Sequence, residues 1–295
     1  MDVSGAAAPQ PLAFTCTDGR ELRGQLFSVP DGVTRLGTVV IASATAVKAG
    51  YYSRYAAFLA AHGYAAVTFD YRGIGESRGG SLRRQKVRWY DWGRLDIDAV
   101  LSWALEQADG LSVHFVGHSF GGFGVGLAAH AAGLSRILTV GAQHAYWPDL
   151  RFRHQLGHWG RCLVSVPLVA VFGYFPCERL GVMEDLPRGV ALDWARSRKD
   201  FTSAATGELR EALRANQRAV TAPILAVAPT DDSYATPAAM ERALRYTPNS
   251  DSRMIRLRPA QYGETSLGHF ALFHSRFRHT FWEQTLAWLR DGVWD

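Results

Sequence analysis

Val113-His114-Phe115-Val116-Gly117-His118-Ser119-Phe120-Gly121-Gly122 is the stretch on which the reading of this chain turns. Val113 to Val116 is a short, nearly continuous apolar run, Gly117 to Gly121 reads G-x-S-x-G, and Val125, Leu127 and Ala128 behind it suit a helix. In a strand, turn, helix setting this motif has a physical requirement. Ser119 must stand on a strained turn with its hydroxyl exposed above the sheet, and the residues two before and two after must be glycine because side chains there would collide. The turn also aims the backbone N–H of Phe120 and the new helix's N-terminus at the place where an oxyanion would form. The stretch predicts a nucleophilic serine, against the plainer reading of a glycine turn.

Working outward, Val39-Val40-Ile41, Ala65-Ala66-Val67-Thr68-Phe69 and Ile137-Leu138-Thr139-Val140 are runs of the same kind, as parallel strands buried on both faces require. Between them Tyr51, Tyr55, Phe58 and Leu59 recur at helical spacing up to Gly63, and Trp92, Leu95, Ala99 and Trp103 mark a second amphipathic face. Phe14 to Thr17 and Gln25 to Val29 flank Asp18-Gly19 as an opening antiparallel hairpin. Strands alternating with helices imply a doubly wound, mostly parallel eight-stranded α/β sheet with right-handed crossovers. The alternation stops near residue 144, where an aromatic, Arg-rich stretch runs to about Val220. It returns with Ile224 to Val227 and Met254 to Leu257, and Phe281, Trp282, Leu286 and Leu289 form a last helix. The expected organisation is a core of residues 1–143 and 221–295 with a helical lid inserted at 144–220.

Composition narrows the function. Of 295 residues, 47% are hydrophobic and 20% charged, a globular balance that can bury a large core. The net charge of +5 comes from scattered arginines, with lysine only at Lys48, Lys86 and Lys199. The densest basic cluster is Arg151, Arg153, His154, His158 and Arg161, interleaved with Phe152 and Trp159. It reads as a solvated lid face, and no nucleic-acid partner is expected. Cys16, Cys162 and Cys177 have neither C-x-x-C nor metal-ligand spacing, so reduced thiols, a cytoplasmic setting and no metal are expected. Met1-Asp2-Val3 begins no secretory signal, and Cys162 to Val171, the longest apolar stretch, is half the ~20 residues a membrane-spanning helix needs.

At this point the chain resembles the α/β-hydrolase family over essentially the whole core. Asp70-Tyr71-Arg72-Gly73-Ile74-Gly75-Glu76-Ser77 is similar to the family's D-x-R-G-x-G-x-S loop, which shapes the floor of the site without reacting. The family order of Ser, then Asp or Glu, then His places the acid and base after residue 119. Ala228-Pro229-Thr230-Asp231-Asp232-Ser233-Tyr234-Ala235-Thr236-Pro237 is similar to the family's strand-end G-x-x-D-x-x-x-P loop, with Pro229 in place of the glycine and Pro237 one position late. The match points to Asp232 as the acid, with Asp231 as the neighbouring alternative and Asp149 a distant third. Gly268-His269-Phe270, between the last strand and the last helix, is similar to the catalytic histidine position. Of the other nine histidines, His118 lies inside the elbow, His62 ends a helix, His114 is mid-strand, His130, His144, His154 and His158 fall in the elbow helix or lid, and His274 and His279 suit a helix surface.

The resemblance places the second oxyanion donor in Ala42-Ser43-Ala44-Thr45-Ala46-Val47, which lacks the His-Gly pair of many relatives. The backbone N–H of Thr45 or Ala46 is the candidate beside that of Phe120. The 172–189 stretch resembles the lid of a group of bacterial predicted α/β-hydrolases. Trp147, Phe152, Trp159, Leu163, Val166, Leu168, Phe172, Tyr174 and Phe175 are candidates to line an apolar acyl pocket or to pack the lid itself. The expected activity is cleavage of a carboxylic ester or thioester through an acyl-enzyme, with a small-molecule acyl substrate, no cofactor and no stable membrane insertion. A homodimer, acyl transfer by the same triad, and an inactive binding module of this fold stay open.

Overall fold

The computed structural model describes residues 8–181, 183–196 and 198–294. The side chains of Arg153, His158, Trp159, Arg161 and Cys162 lie outside the described set, as does Met1-Asp2-Val3, so most of the basic aromatic cluster expected on the lid, and the Trp159 pocket candidate, fall there too.

Eight strands form one sheet: β1 (Gln10–Thr15), β2 (Glu21–Phe27), β3 (Gly37–Ala42), β4 (Tyr64–Phe69), β5 (Ser112–His118), β6 (Arg136–Val140), β7 (Ile224–Pro229) and β8 (Ser252–Leu257). Their spatial order is β1-β2-β4-β3-β5-β6-β7-β8. The opening hairpin pairs Thr15 with Glu21, so its second strand starts four residues earlier than the Gln25 the sequence suggests. β1–β2 and β2–β4 are antiparallel, and every pair from β4 to β8 is parallel. All residues of β3, β4 and β7 are buried, whereas the edge strands β1 and β8 are largely exposed or half-buried, with Phe14 and Leu257 buried.

The apolar runs still obey the period of two. Val40, Val67, Phe115 and Ile137 pack in a core on one face, and Val39, Ile41, Val116, Leu138, Val140, Leu225 and Val227 in another on the opposite face. The second face is covered by α1 (Ser53–Ala61), with Tyr55, Phe58 and Leu59 inward, and by the C-terminal helix. The first is covered by Trp89–Asp91, a π-helical stretch Trp92–Ile97, and α2 (Asp98–Glu106). The π-turn shifts the helical phase, so the buried set is Trp92, Leu95, Ile97, Val100, Leu101 and Ala104, and Ala99 and Trp103 are only partly covered. It also buries the Asp96 carboxylate against the Arg72 guanidinium, which reaches Asp18 at 2.6 Å.

The helix after the elbow is shorter than the sequence suggests. α3 spans Phe120–Gly124, tightens into a 3₁₀ turn at Val125–Leu127, and breaks where Ala128 is extended. Gly121, Gly122, Gly124 and Gly126 lower its helix propensity, and a β-branched valine adds nothing to offset them.

Between β6 and β7 lie α4 (Phe152–Phe172), a two-stranded pair (Tyr174–Phe175 with Leu186–Pro187), α5 (Arg188–Arg196) and α6 (Gly207–Ala219). α4 carries Pro167 inside it and stops at Gly173, which takes a left-handed cap at φ 78°. Phe152, Leu156, Leu163, Val166 and Val171 of α4 are exposed. α6 packs on the layer beside the sheet, with Leu213 in the main core and Asn216 Nδ2 donating to the Leu127 carbonyl at 2.9 Å. α7 (Pro237–Leu244), whose N-cap Thr236 accepts from Ala239 N–H, and α8 (Phe281–Asp291) complete the layers. Among the described residues, no helix is long and apolar enough to cross a membrane.

Candidate active site

Register brings four loops together at the carboxyl edge of the sheet. Ala42 at the end of β3 stands opposite Gly117 in β5, His118 opposite Val140 in β6, and Val140 opposite Val227 in β7. Ligand crevices of open α/β sheets form at such strand ends.

Ser119 sits at φ 53° and ψ −120°, a conformation that a non-glycine residue adopts at a cost of about 1–3 kcal/mol. Its N–H donates to the Val140 carbonyl at 2.9 Å, which ties the turn to the neighbouring strand. A Cβ on Gly117 would run into the Gly122 backbone, and one on Gly121 into the Ala42 carbonyl, so both glycines are needed for the chain to pass. Ser119 is 6% exposed, and its hydroxyl faces a cavity of ≈ 360 Å³.

His269 lines this cavity, and the fully buried Asp232 meets it from behind the wall. His269 Nδ1 donates to Asp232 Oδ2 at 2.7 Å, and Asp232 Oδ1 accepts from the N–H groups of Tyr234 and Ala235 at 2.8 and 3.0 Å. Burial pushes the Asp232 carboxyl up, but the adjacent imidazole and these hydrogen bonds outweigh it and hold the group below its ordinary range. His269 and Ser119 line the same cavity, yet the hydrogen bond that Ser119 Oγ makes is from Gln143 Nε2, at 3.2 Å.

The rival acids are engaged elsewhere. Asp231 Oδ2 accepts from Ser266 Oγ at 2.7 Å, Leu267 N–H at 2.9 Å and Gly268 N–H at 3.0 Å, and so holds the loop that delivers His269. Asp149 forms an ion pair with Arg242, away from the imidazole.

Of the two residues expected to supply the second oxyanion donor, only Thr45 lines the cavity. Ala46 packs into the core at φ 61°, and its carbonyl accepts from Glu184 N–H at 3.2 Å. Ala44 also lines the cavity, but its N–H already donates to Tyr52 Oη at 3.0 Å.

His118 has a part that sequence reasoning missed. Its Nε2 faces the main-chain carbonyl of His269 at 2.9 Å, and its Nδ1 lies 2.7 Å from Tyr52 Oη. A carbonyl only accepts, so Nε2 carries the proton and Nδ1 accepts from Tyr52. Burial and the neighbouring His269 press the His118 pKa down to about 3, which keeps this ring neutral. Ala44, Tyr52, His118 and His269 thus form one hydrogen-bonded chain from the Thr45 loop to the main chain of His269. The sequence signal was an aromatic hydroxyl just before the first helix and a histidine beside Ser119.

The remaining histidines are placed by packing. His62 Nδ1 bonds the Phe58 carbonyl at 2.7 Å, His130 pairs with Asp98 at 3.0 Å, and His114 and His144 are buried, each held near pKa 4 by desolvation. The D-x-R-G loop is structural as the resemblance implies: Asp70 accepts from Ala49 N–H at 2.7 Å and Glu76 N–H at 2.9 Å.

The cavity wall is apolar. Residues 144–220 contribute Val164, Phe175, Cys177, Leu180, Met183 and Trp194, and the core side adds Trp89, Phe120 and Phe270. Of the nine aromatic and aliphatic residues singled out in the sequence, Trp159 lies outside the described side chains; among the described ones only Phe175 is a lining residue, and Phe152, Leu163 and Val166 face outward. Beyond Val164 of α4, this part of the lining comes from the turn after α4 and from α5, where Cys177, Leu180, Met183 and Trp194 stand singly in the sequence.

A strained serine at a strand-to-helix elbow, at the carboxyl edge of a mostly parallel eight-stranded sheet, defines the α/β-hydrolase fold. The model of the alpha/beta hydrolase family matches residues 39–278, and the chain belongs to that family. A soluble variant of monoglyceride lipase from Saccharomyces cerevisiae, in complex with a substrate analog, is similar in structure at 16% identity, with TM-score 0.69 over 100% of this chain and 99% of that one. The esterase domain of a Rhodothermus marinus protein gives TM-score 0.56 at 16% identity over 96% and 98%. A thermophilic esterase from Thermogutta terrifontis gives 0.57 at 16% over 95% and 98%. No match was found among curated proteins.

Proposed function

We propose that this chain is a serine hydrolase that cleaves carboxylic esters or thioesters with an apolar acyl chain. The observation that carries the proposal is Ser119, held in a strained left-handed turn on the same apolar cavity as the Asp232–His269 pair. The esterase and lipase neighbours add that this fold accommodates such chemistry.

In this reading His269 Nε2 takes the Ser119 hydroxyl proton as Oγ bonds to the substrate carbonyl carbon. The carbonyl π electrons move to oxygen, and the oxyanion takes hydrogen bonds from the backbone N–H groups of Phe120 and Thr45. Collapse expels the alkoxide or thiolate, which receives the proton from His269 and leaves an acyl-enzyme. Water, deprotonated by His269, then releases the acid and returns the proton to Ser119. Asp232 fixes the imidazole tautomer and stabilises the imidazolium. Residues 144–220 act as the cover that supplies the acyl wall. At ≈ 360 Å³ and with few polar groups, that wall suits a medium-length aliphatic chain better than a sugar or an amino acid.

The test is labelling by a fluorophosphonate together with hydrolysis of p-nitrophenyl esters and acyl thioesters of graded chain length. The native chain is expected to label at Ser119 and to prefer chains above acetyl, and Ser119→Ala to do neither. Labelling retained in Ser119→Ala overturns the assignment. Adding alcohols and amines and analysing products separates hydrolysis from acyl transfer.

A further inference from the structure

Gln143 is a polar group of the cavity that the mechanism above leaves unused. It follows β6 by three residues, is 6% exposed, and is locked at both ends of its carboxamide. The carbonyl oxygen accepts from Ala145 N–H, which settles the orientation of the amide, because only the NH₂ end can then face Ser119. Ala145 itself lies at φ 57°, a backbone conformation rarely taken by a residue with a side chain, so the turn that aims the carboxamide is a tightly determined one. The bland role for Gln143 is to close this turn. Its carbonyl oxygen does that alone, and the amide N–H is left over for Oγ.

We propose that Gln143 is a fourth catalytic group, donating from Nε2 to Ser119 Oγ throughout attack; this rests on the assignment of Ser119 as nucleophile. A serine hydroxyl has one proton and two lone pairs. With one lone pair occupied by Nε2–H at 3.2 Å, the hydroxyl proton is left to His269 and the other lone pair to the substrate carbon. The bond is long for a neutral N–H···O pair, and it has room to shorten as Oγ gains negative charge and the hydrogen bond becomes charge-assisted. An interaction stronger in the transition state than in the resting enzyme raises kcat and leaves KM nearly unchanged.

The experiment compares native chain, Gln143→Met and Gln143→Glu in fluorophosphonate labelling rate and p-nitrophenyl ester kinetics between pH 5 and pH 9, with thermal melts to show that each is folded. Gln143→Met keeps the volume and loses the donor, and its labelling rate and kcat are expected to fall about tenfold with KM within about twofold. Gln143→Glu keeps an oxygen for Ala145 N–H, but its carboxylate can only accept from the Ser119 hydroxyl and competes with His269. Its rate relative to native is expected to rise as pH falls and the carboxyl becomes protonated, a trend that a purely structural role would not produce. Native labelling with an unchanged rate in Gln143→Met, or a pH-independent ratio in Gln143→Glu, overturns this proposal and leaves the Ser119 assignment standing. Absence of labelling at Ser119 in the native chain overturns both.

Discussion

The imidazole of His118 and the main-chain carbonyl of His269 lie 2.9 Å apart, so the residue beside Ser119 holds the backbone of His269. The other nitrogen of the same ring accepts from Tyr52 Oη, which accepts in turn from Ala44 N–H next to the oxyanion loop. Three loops that arrive from distant parts of the chain are thereby set against each other by one buried, neutral ring. Replacement of His118 by Leu, or of Tyr52 by Phe, is expected to lower kcat roughly 10- to 100-fold, since small displacements of reacting groups carry costs of that size. His118→Gln, which retains a donor toward His269, is expected to lose less. Steady-state ester hydrolysis checks this, and a rise in KM at constant kcat would count against it.

Asp231 and Asp232 are adjacent but serve different atoms of the same loop. Under the proposed mechanism Asp232→Asn removes the charge that would stabilise the imidazolium, and kcat is expected to fall on the order of 10⁴-fold. Asp231→Asn disturbs three hydrogen bonds to Ser266, Leu267 and Gly268 and is expected to lose far less activity, with more effect on stability. Burial raises Asp231, but hydrogen bonds prevail and hold it below its ordinary value of 3.8. A carboxyl depressed in the folded state contributes stability above its unfolded pKa and loses it as pH falls through the folded one. Urea melts of the native chain should therefore weaken below about pH 4, and less steeply in Asp231→Asn.

Gly141→Ala should silence the site with little change of fold. Gly141 is at φ 62°, and a Cβ there would stand 3.0 Å from His269 Cε1 and 3.1 Å from Asp232 Oδ2. The left-handed φ costs an alanine about 1–2 kcal/mol, so a modestly lowered melting temperature combined with lost labelling is the expected pair of results, and full activity would show that the imidazole can yield.

Cys177 lines the cavity but is not a nucleophile. Burial and the nearby Asp185 push its thiol up to about 12, so almost no thiolate exists at neutral pH. Iodoacetamide at pH 7.5 is expected to leave Cys177 unmodified until the protein is denatured, as peptide mass mapping would read.

Arg72 and Asp96 form an ion pair in the core, with Asp96 fully buried and raised to about 6 by desolvation in spite of Arg72. Arg72→Ala leaves that carboxyl without its cation, at a cost of about 3–5 kcal/mol. Protonation relieves the buried charge, so the loss should be larger at pH 8 than at pH 5. Urea melts at the two pH values test the difference, and equal losses would mean that Asp96 does not carry the effect.

The sheet was legible because a strand covered on both faces must be apolar along its whole length, and Val39 to Ile41 or Ile224 to Val227 have no other plausible use. The elbow was legible because glycine at 117 and 121 is a local steric demand. Sequence by itself thus determined the family, the order of strands and helices, and the Ser119, Asp232 and His269 candidates. Tertiary structure put Asp232, and not Asp231, on the His269 imidazole, since neighbours on one loop differ in which way each carboxylate faces. It also left Ala46 out of the cavity lining, brought in Cys177, Leu180, Met183 and Trp194 in place of exposed Phe152, Leu163 and Val166, and placed Gln143 on Ser119. Those outcomes depend on contacts between segments far apart in the chain, and no local periodicity or spacing encodes them.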